Sequence, residues 1–257
     1  MPRELAHQLR DSGAVYLLCA DSAIDTGIEA AKLAGLDPAE RVFVFNSKIF
    51  DGPGAPGTQG IKGCPYWSAL MASEDEARGF QWDDLTGPGE CHTTLALNYS
   101  SGTTGVPKGV EITHKNYISN TLQVAKIAQN APDYAIRNAR ARWLCFLPLY
   151  HAYGQTYFIA GALNRGIPVY IMPKFDFLQV LEYVQKFRIT DFALVPPIAV
   201  ALAKHPAVSN YDLSSIEAMG CGAAPLGRDV AAQLEKRLGQ RVNLKQGWGM
   251  TEYAERP

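Results

Sequence analysis

The sequence has few cysteines, and no two of them stand at the short spacing that metal sites and redox motifs use. The five thiols are far apart along the 257 residues, at Cys19, Cys64, Cys91, Cys145 and Cys221. This spacing argues against a disulfide framework and against a zinc site, and it favours a reducing compartment. We therefore expect an intracellular protein.

An excess of charge of one sign and a long apolar run are also missing. The net charge is −1, from 24 Lys and Arg against 25 Asp and Glu. Because such a balance gives no electrostatic footprint for nucleic acid, we expect no nucleic-acid partner. No run approaches the roughly 20 apolar residues that a membrane span needs, and the first residues lack the charged-then-apolar pattern of a signal peptide. We therefore expect no membrane span.

The sequence also lacks the residue orders of two common classes of hydrolase. Its five histidines and five cysteines have no zinc-ligand spacing, and no Ser-His-Asp order stands out. The composition is that of an ordinary globular protein, with 47% hydrophobic residues. Evidence for function must therefore come from other motifs.

One segment, residues 99–110, is rich in small polar residues and reads YSSGTTGVPKGV. Glycines let backbone N–H groups approach a ligand closely, while the Ser and Thr hydroxyls and the ammonium of Lys108 add donors and a positive charge. The apolar runs on either side predict strands, so the segment is expected to be a loop between two rigid edges. This pattern predicts a loop that binds a polyphosphate.

Two other interpretations of the segment are weaker. A merely flexible turn is disfavoured because Pro107 stiffens the chain where Lys108 leaves the backbone. A Walker loop needs Gly, four residues and then Gly-Lys-Ser/Thr at the start of a helix. Here Gly102 and Gly105 are only three apart, and Lys108 is followed by Gly109 and a strand-like run. We therefore predict a phosphate loop of another kind.

The apolar pattern predicts an α/β protein. Strand-like runs alternate with amphipathic helical runs, an order typical of a parallel sheet covered by helices. Thr113 is expected to cap a helix that runs to about Asn130, and Ser22 with Asp25 looks like a capping box. In the second half we predict strands over residues 142–147, 167–172, 191–195, 216–219 and 242–244, and a helix over 154–163. We expect two α/β subdomains, residues 1–138 with the phosphate loop and residues 139–257.

Three further motifs follow the phosphate loop. They read LPLYHAYG at residues 147–154, GAAPL at 222–226 and QGWGMTE at 246–252. In this order, the four motifs resemble the signatures of the adenylate-forming enzymes, the AMP-dependent synthetase/ligase superfamily, and most of all its 4-coumarate–CoA ligase-like acyl-CoA synthetases. The resemblance runs over nearly the whole chain. It implies the large α/β N-terminal domain of that family, truncated at both ends and without the small C-terminal domain.

The resemblance also implies roles for particular residues in binding ATP. The phosphate loop would wrap the β- and γ-phosphates with Ser100, Ser101, Gly102, Thr103, Thr104, Gly105 and Lys108. Thr251 would contact the α-phosphate and Glu252 would bind Mg²⁺, a hard ion that takes one or two protein carboxylates. The adenine would lie along Gln246, Gly247, Trp248, Gly249 and Met250. Trp248 stands where the family often has Tyr, and an indole stacks at least as well; the alternative is that Trp248 is a buried core residue.

The remaining implied roles concern the acid. His151 would lie beside the carboxylate that is activated, so it joins Lys108, Thr251 and Glu252 as a catalytic residue. Gly222, Ala223 and Ala224 would form a wall of small residues between acyl group and adenine. Tyr150, Tyr153 and Phe158 indicate an apolar pocket, compatible with an aryl or acyl acid.

The reaction implied is ATP-dependent activation of a carboxylic acid to an acyl-adenylate, then transfer to coenzyme A as a thioester. It would need ATP, Mg²⁺ and coenzyme A, and a cytoplasmic or peroxisomal location is expected. Two alternatives stay open: a truncated and inactive remnant that only binds nucleotide, and a peptide-synthetase-type adenylation domain that loads a carrier protein.

Overall fold

The computed structural model describes residues 1–46, 59–87, 89–100, 105–239 and 242–251. The chain divides into two compact units, Met1–Thr86 with Ser101–Gly109, and Gly87–Ser100 with Val110–Pro257. These units interleave along the sequence, and the predicted subdomains 1–138 and 139–257 stay a prediction. Among the described residues, no helix combines the length and apolarity needed to cross a membrane.

The first unit is a small α/β arrangement. Its elements are α1 (Pro2–Ser12), β1 (Leu17–Ala20), a 3₁₀ turn (Asp21–Ala23), α2 (Ile24–Ala34), α3 (Pro38–Arg41), β2 (Val42–Phe45), a second 3₁₀ turn (Trp67–Leu70) and α4 (Glu74–Gly79). Strands β1 and β2 pair in parallel, with Cys19 opposite Val44. Both residues are buried in an apolar cluster with Ile24 and Tyr66.

The predicted capping box at Ser22 and Asp25 is wrong. Helix α2 begins at Ile24, and its N-cap, Ala23, has no capping side chain. Ser22 instead lies in a 3₁₀ turn, which the Ile24 N–H closes by donating to the Asp21 carbonyl. The backbone N–H of Ser22 donates to the Asp21 carboxylate, 2.6 Å away.

A capping box does form in a segment whose sequence suggested only an acidic surface. The Ser73 hydroxyl and the Glu76 carboxylate exchange hydrogen bonds with each other's backbone N–H groups at the start of α4.

The second unit contains most of the chain. Its elements are β3 (Thr94–Ser100), β4 (Lys108–Thr113, whose first two residues belong to the first unit), α5 (His114–Gln129), α6 (Tyr134–Arg140), β5 (Trp143–Cys145), α7 (Ala152–Gly154), a π-helical segment (Gln155–Gly161), α8 (Ala162–Arg165), β6 (Val169–Ile171), α9 (Phe177–Phe187), β7 (Asp191–Leu194), α10 (Pro196–Lys204), β8 (Ala218–Cys221), α11 (Arg228–Leu238) and β9 (Asn243–Gln246). Two 3₁₀ turns, Glu90–His92 and Pro206–Asn210, complete it.

Five of these strands form one sheet in the order β6-β5-β7-β8-β9, and every neighbouring pair is parallel. The alternation of strands and helices in the sequence predicted this arrangement, and the α/β fold class is confirmed. The helices bury the sheet: Leu144, Val180, Leu181, Phe192 and Leu202 are each fully buried in one cluster. From β5 the chain turns to β6 on one side and then to β7 on the other. In open α/β sheets, ligands bind outside the carboxyl ends of the strands at such a reversal of strand order.

Most of the predicted boundaries lie within a few residues of the observed ones. Helix α5 is confirmed, with the Thr113 hydroxyl accepting the Asn116 N–H at 3.1 Å as the N-cap bond. Strand β8 begins at Ala218, two residues later than predicted, because Ile216 belongs to a turn in which its N–H donates to Leu213. Helix α6, Tyr134–Arg140, was not predicted.

Candidate active site

Three of the four sequence motifs follow strands of the same parallel sheet, two of them the neighbouring strands β8 and β9. The His151 loop follows β5, the segment 222–226 follows β8, and the segment 247–251 follows β9. Because the strands are parallel, all three motifs lie at the carboxyl edge of the sheet, although they are up to a hundred residues apart in sequence. The His151 loop also lies next to the reversal of strand order between β5 and β7.

The His151 ring has a defined hydrogen-bonding pattern. His151 is the N-cap of α7, and its Nδ1 accepts the backbone N–H of Tyr153 at 3.2 Å. Its own backbone N–H donates to the carbonyl of Pro148 at 3.2 Å. An imidazole nitrogen that accepts carries no proton, so the ring proton of the neutral form lies on Nε2. The ring is exposed, and Nε2 has no partner in the part of the chain that the structure describes. His151 therefore presents a free N–H donor at the carboxyl edge.

Tyr153 joins the His151 loop to strand β8. Its hydroxyl donates to the carbonyl of Gly220 at 3.3 Å. Burial raises the pKa of Tyr153 to about 12, so the phenol stays a protonated donor. A Cβ at Gly222 would lie 3.4 Å from Cε1 of Tyr153 and 3.8 Å from the carbonyl oxygen of Gly247. The ends of β8 and β9 thus leave bare backbone beside the Tyr153 ring, with Gly222 buried and Gly247 exposed.

A close backbone contact explains the glycine at the end of the His151 motif. A Cβ at Gly154 would lie 2.2 Å from the carbonyl oxygen of Pro148, a distance at which the chain must shift. Glycine at this position therefore allows the loop to fold back on itself directly before the π-helical segment.

The backbone of the small-residue segment, residues 222–226, first continues the hydrogen bonding of the sheet and then adopts a strained conformation. Gly222 donates to the carbonyl of Leu194 at 3.0 Å, and Gly247 donates to that of Cys221 at 2.9 Å, so the ladder continues past the strands. Ala223 then has φ of 69°, in the left-handed region that costs an L-residue roughly 1–2 kcal/mol. Ala223 and Ala224 are exposed at the carboxyl edge, as a wall beside a ligand would require.

Gln246 has a structural contact that the sequence did not suggest. Its Oε1 accepts the backbone N–H of Leu226 at 3.0 Å, and its Nε2 donates to the Leu226 carbonyl at 3.3 Å. Both polar ends of the amide therefore hold the segment 222–226 against β9. A nucleotide contact by Gln246 stays a prediction.

The segment expected to bind adenine leaves β9 without regular structure. Trp248 is 76% exposed, so the alternative that it is a core residue is wrong. Gly247, Gly249 and Met250 are also exposed, and Thr251 is half-buried. Exposed faces of this kind are what stacking on a base requires, and the stacking itself stays a prediction.

The described residues cover only part of the predicted phosphate loop and do not include the predicted metal ligand. Ser101, Gly102, Thr103, Thr104 and Glu252 lie outside the described residues, so their predicted contacts stay predictions. Ser100 ends β3, Gly105 is exposed, and Lys108 begins β4 with an exposed side chain. Within the described ranges, no group of three or more His, Cys, Asp or Glu could hold a metal ion.

Two features near these motifs were missed from the sequence. In the first unit, a ring nitrogen of His7 donates to the carbonyl of Pro107 at 3.3 Å, directly before Lys108. In the second unit, Asn98 is buried and pairs with Gln155. No sequence signal singled out Asn98, because the strand TLALNYS also contains Thr, Tyr and Ser.

The buried thiols and Phe158 are structural. Cys145 and Cys221 end β5 and β8 beneath the candidate site, but burial raises the pKa of both thiols, that of Cys145 to about 11. A thiol that stays protonated is a poor nucleophile. Phe158, expected to line an acid pocket, is buried in the core against Trp143.

Comparison with known proteins places this geometry in a family. The family described as AMP-binding enzyme matches residues 1–254. The chain is 40% identical over 190 residues to 4-coumarate–CoA ligase 3 of Arabidopsis thaliana, covering 74% of this chain and 32% of the relative. It is 34% identical over 253 residues to 4-coumarate-CoA ligase 2 of Narcissus pseudonarcissus, covering 98% of this chain and 41% of the relative.

The solved structures agree on the fold. A natural red emitting luciferase from Phrixothrix hirtus superposes with a TM-score of 0.75 at 26% identity, over 99% of this chain and 45% of that one. The chain spans less than half the length of each of these three proteins. The family match covers nearly all of the sequence, as the four motifs predicted, and the chain therefore belongs to the AMP-binding enzyme family.

Proposed function

We propose that the chain contributes the nucleotide- and acid-binding part of an AMP-forming acid–CoA ligase. In this reaction a carboxylate oxygen attacks the α-phosphorus of ATP, and the bond to pyrophosphate breaks. The thiol of coenzyme A then attacks the acyl carbon of the acyl-adenylate, AMP leaves, and a thioester remains. Family membership and the names of the two plant relatives support this reaction class.

The observation that carries the proposal is the hydrogen bond that holds the His151 ring at the carboxyl edge of the sheet, with Nδ1 as the acceptor and Nε2 left as the donor. The N-cap bond from Tyr153 holds Nδ1 as an acceptor, so the proton faces away from the cap. A donor fixed in this way can hold the carboxylate of an acid in line with a nucleotide at the reversal of strand order. The exposed Tyr150 next to it, 82% accessible, offers a ring surface for an aryl or acyl chain.

The phosphates of ATP would be bound at the loop between β3 and β4. Lys108 supplies a cationic donor there, and Ser100 ends the strand that leads into the loop. Negative charge builds on pyrophosphate as it leaves, and losing one well-placed donor to such charge typically costs about 3 kcal/mol of barrier. We propose that Ser101, Thr103 and Thr104 supply the further donors.

The ligands proposed here, the phosphates of ATP and one carboxylate, suit Mg²⁺ better than they suit a metal ion that is held only by protein groups. Mg²⁺ keeps several waters and is bound by substrate phosphates with one or two carboxylates, so it needs no protein cluster of ligands. We propose that Glu252 is that carboxylate. The ion would neutralise phosphate charge and polarise the phosphoryl oxygen.

The adenine would lie along the segment after β9. Gly247 and Gly222 keep the backbone bare beside the Tyr153 ring, and Trp248 exposes an indole face for stacking. Ala223 and Ala224 would then separate adenine from acyl group.

All five cysteines are free thiols, which supports the cytoplasmic or peroxisomal location that we propose.

The test is pyrophosphate release that depends on an added acid. The 257-residue chain, and in parallel the longest natural polypeptide that contains it, would receive MgATP with hydroxycinnamic and fatty acids. Acid-dependent pyrophosphate followed by a CoA thioester supports the proposal, and Lys108→Met should abolish most of the signal. Nucleotide binding without release from any acid would replace the ligase by a nucleotide-binding remnant. Transfer to a pantetheinyl carrier protein but not to coenzyme A would favour a peptide-synthetase-type domain.

A further inference from the structure

Asn98 and Gln155 form a reciprocal pair of side-chain hydrogen bonds between strand β3 and the helical segment after His151. Asn98 Nδ2 donates to Gln155 Oε1 at 2.8 Å, and Gln155 Nε2 donates to Asn98 Oδ1 at 3.3 Å. Asn98 is 9% exposed, one of three polar side chains that are buried in the described part of the chain. Each amide therefore fixes the orientation of the other.

Gln155 also contacts the His151 loop directly. Its Nε2 donates to the carbonyl of Tyr150 at 3.4 Å, and its backbone N–H donates to the carbonyl of His151 at 3.0 Å. The Tyr117 hydroxyl of α5 donates to the Gln155 carbonyl at 3.3 Å. Gln155 begins the π-helical segment, a local geometry that often occurs at functional sites. The side chain of Gln155 thus connects β3 to Tyr150, and its backbone N–H connects to His151.

Asn98 lies on the strand that leads into the proposed phosphate loop. It stands two residues before Ser100, the last residue of β3. The amide pair therefore connects two parts of the chain with different proposed roles: the strand end before the phosphate loop, and the loop that presents the His151 donor.

We propose that Asn98 and Gln155 are positioning residues that hold the His151 donor in register with the end of β3. This inference rests on the proposed function, because it assigns the pair to the alignment of an acid with the nucleotide phosphates. Neither side chain contacts the reacting atoms in this proposal. A shift of about 1 Å in such an alignment can cost on the order of a hundredfold in rate.

The burial of Asn98 allows structure and positioning to be tested separately. Removing the Gln155 amide leaves Asn98 buried without this partner, so that single variant is destabilised for a reason unrelated to catalysis. Replacing both amides by apolar groups of similar shape can be nearly neutral for stability. The informative variant is therefore the double substitution Asn98→Leu with Gln155→Leu.

The first readout is steady-state, acid-dependent pyrophosphate exchange by the catalytically active polypeptide. We expect the double variant to unfold at the same denaturant concentration as the wild type, while kcat falls about 10- to 100-fold and KM for ATP changes less than about threefold. A stable double variant with wild-type kcat would overturn the inference. Asn138→Leu is the matched control because Asn138 also pairs with a side chain, accepting from Arg165 Nε at 2.9 Å. It should lower stability and leave kcat per folded molecule unchanged.

The second readout does not need activity. In ¹H–¹⁵N spectra that correlate imidazole nitrogens with ring protons, wild-type His151 should appear as the single tautomer with its proton on Nε2. We expect the double variant to populate both tautomers, because the loop that supports the N-cap bond is released. An unchanged imidazole pattern would overturn positioning. A wild type without acid-dependent exchange would instead overturn the proposed function, and the spectra would still decide the role of the pair.

If the double variant does not fold, the same two readouts are applied to Gln155→Glu. This variant keeps the shape of the side chain but removes the donors to Tyr150 and Asn98.

Discussion

The hydroxyl of Tyr153 donates a hydrogen bond to the carbonyl of Gly220, 3.3 Å away, and so ties the His151 loop to the end of strand β8. The raised pKa of Tyr153, about 12, keeps this donor protonated at every physiological pH. The ring packs edge-to-face on Tyr157 and also lies beside Gly222, where no side chain intervenes. One contact between the His151 loop and strand β8 therefore holds a catalytic candidate in place beside bare backbone.

The first prediction concerns that bare backbone. A methyl group at Gly222 would be in van der Waals contact with the Tyr153 ring and near the Gly247 carbonyl, without a severe clash. We expect Gly222→Ala to leave the free energy of unfolding within about 1 kcal/mol of the wild type. MgATP affinity, measured by calorimetry, should fall at least about tenfold, because a tenfold change needs only about 1.4 kcal/mol of lost contact. Gly79→Ala is the control, since a Cβ there meets open space. Equal affinities in the two variants would mean that the nucleotide does not use this surface.

The second prediction separates the two roles of His151. His151→Ser keeps an N-cap acceptor for the Tyr153 N–H but removes the imidazole, whereas His151→Ala removes both. We expect the Ser variant to be as stable as the wild type and the Ala variant to lose about 1 kcal/mol of stability. Acid-dependent pyrophosphate release should fall in both variants by a similar factor, about 10- to 100-fold. Full activity in the Ser variant would show that His151 acts only as a cap.

The sequence was sufficient for the sheet and for the positions of three motifs. Strand-like runs separated by amphipathic helices allow little besides a parallel sheet, and parallel strands bring 147–154, 222–226 and 246–251 to one edge. Pro and Gly marked the strand ends from which these loops leave. The fold and the family were predictable for this reason.

Contacts made by amide side chains were not predictable from the sequence. Gln246 belonged to a motif that suggested nucleotide binding, yet its amide holds Leu226. Asn98 and Gln155 are far apart in sequence and belong to no motif, so only the packing of β3 against the helical segment brings them together. The capping box predicted at Ser22 fails for a similar reason. In a capping box the Ser22 N–H would donate to the Asp25 carboxylate, but here it donates to the carboxylate of the preceding residue, Asp21.

The third prediction concerns the support that Gln246 gives to the small-residue wall. Gln246→Met keeps the length of the side chain but leaves the N–H and carbonyl of Leu226 without their partners. We expect a loss of about 1 kcal/mol in the free energy of unfolding. Amide exchange at Leu226 should become faster, by a larger factor than at Leu194 or Phe192 in the core. Gln233→Met, an exposed position on α11, is the control for the substitution itself. Unchanged exchange at Leu226 would contradict the structural role.

The fourth prediction is a pH dependence of stability. Asp212 accepts hydrogen bonds from Ser214, including the backbone N–H at 2.8 Å, and lies 2.6 Å from Nη1 of Arg188. The Ser214 hydrogen bonds, followed by the Arg188 guanidinium, lower the pKa of Asp212 to about 2. A carboxyl whose folded pKa is lowered adds stability above its unfolded pKa, which is about 3.9, and that stability is lost as the pH falls towards the folded value.

We therefore expect Asp212→Asn to be less stable than the wild type at pH 7 and to lose less stability than the wild type between about pH 4 and about pH 2. Because the carboxylate is exposed, the difference should shrink in 1 M salt. Urea unfolding followed across this range gives the two slopes, and Asp83→Asn, another exposed carboxylate, tests whether removal of any negative charge has the same effect. Parallel acid profiles for the wild type and the Asp212 variant would mean that Ser214 and Arg188 do not stabilise the ionised carboxylate. A difference that grows as the pH rises from 2 to 4 and is then constant to pH 7 is the signature that this hydrogen-bonded ion pair requires.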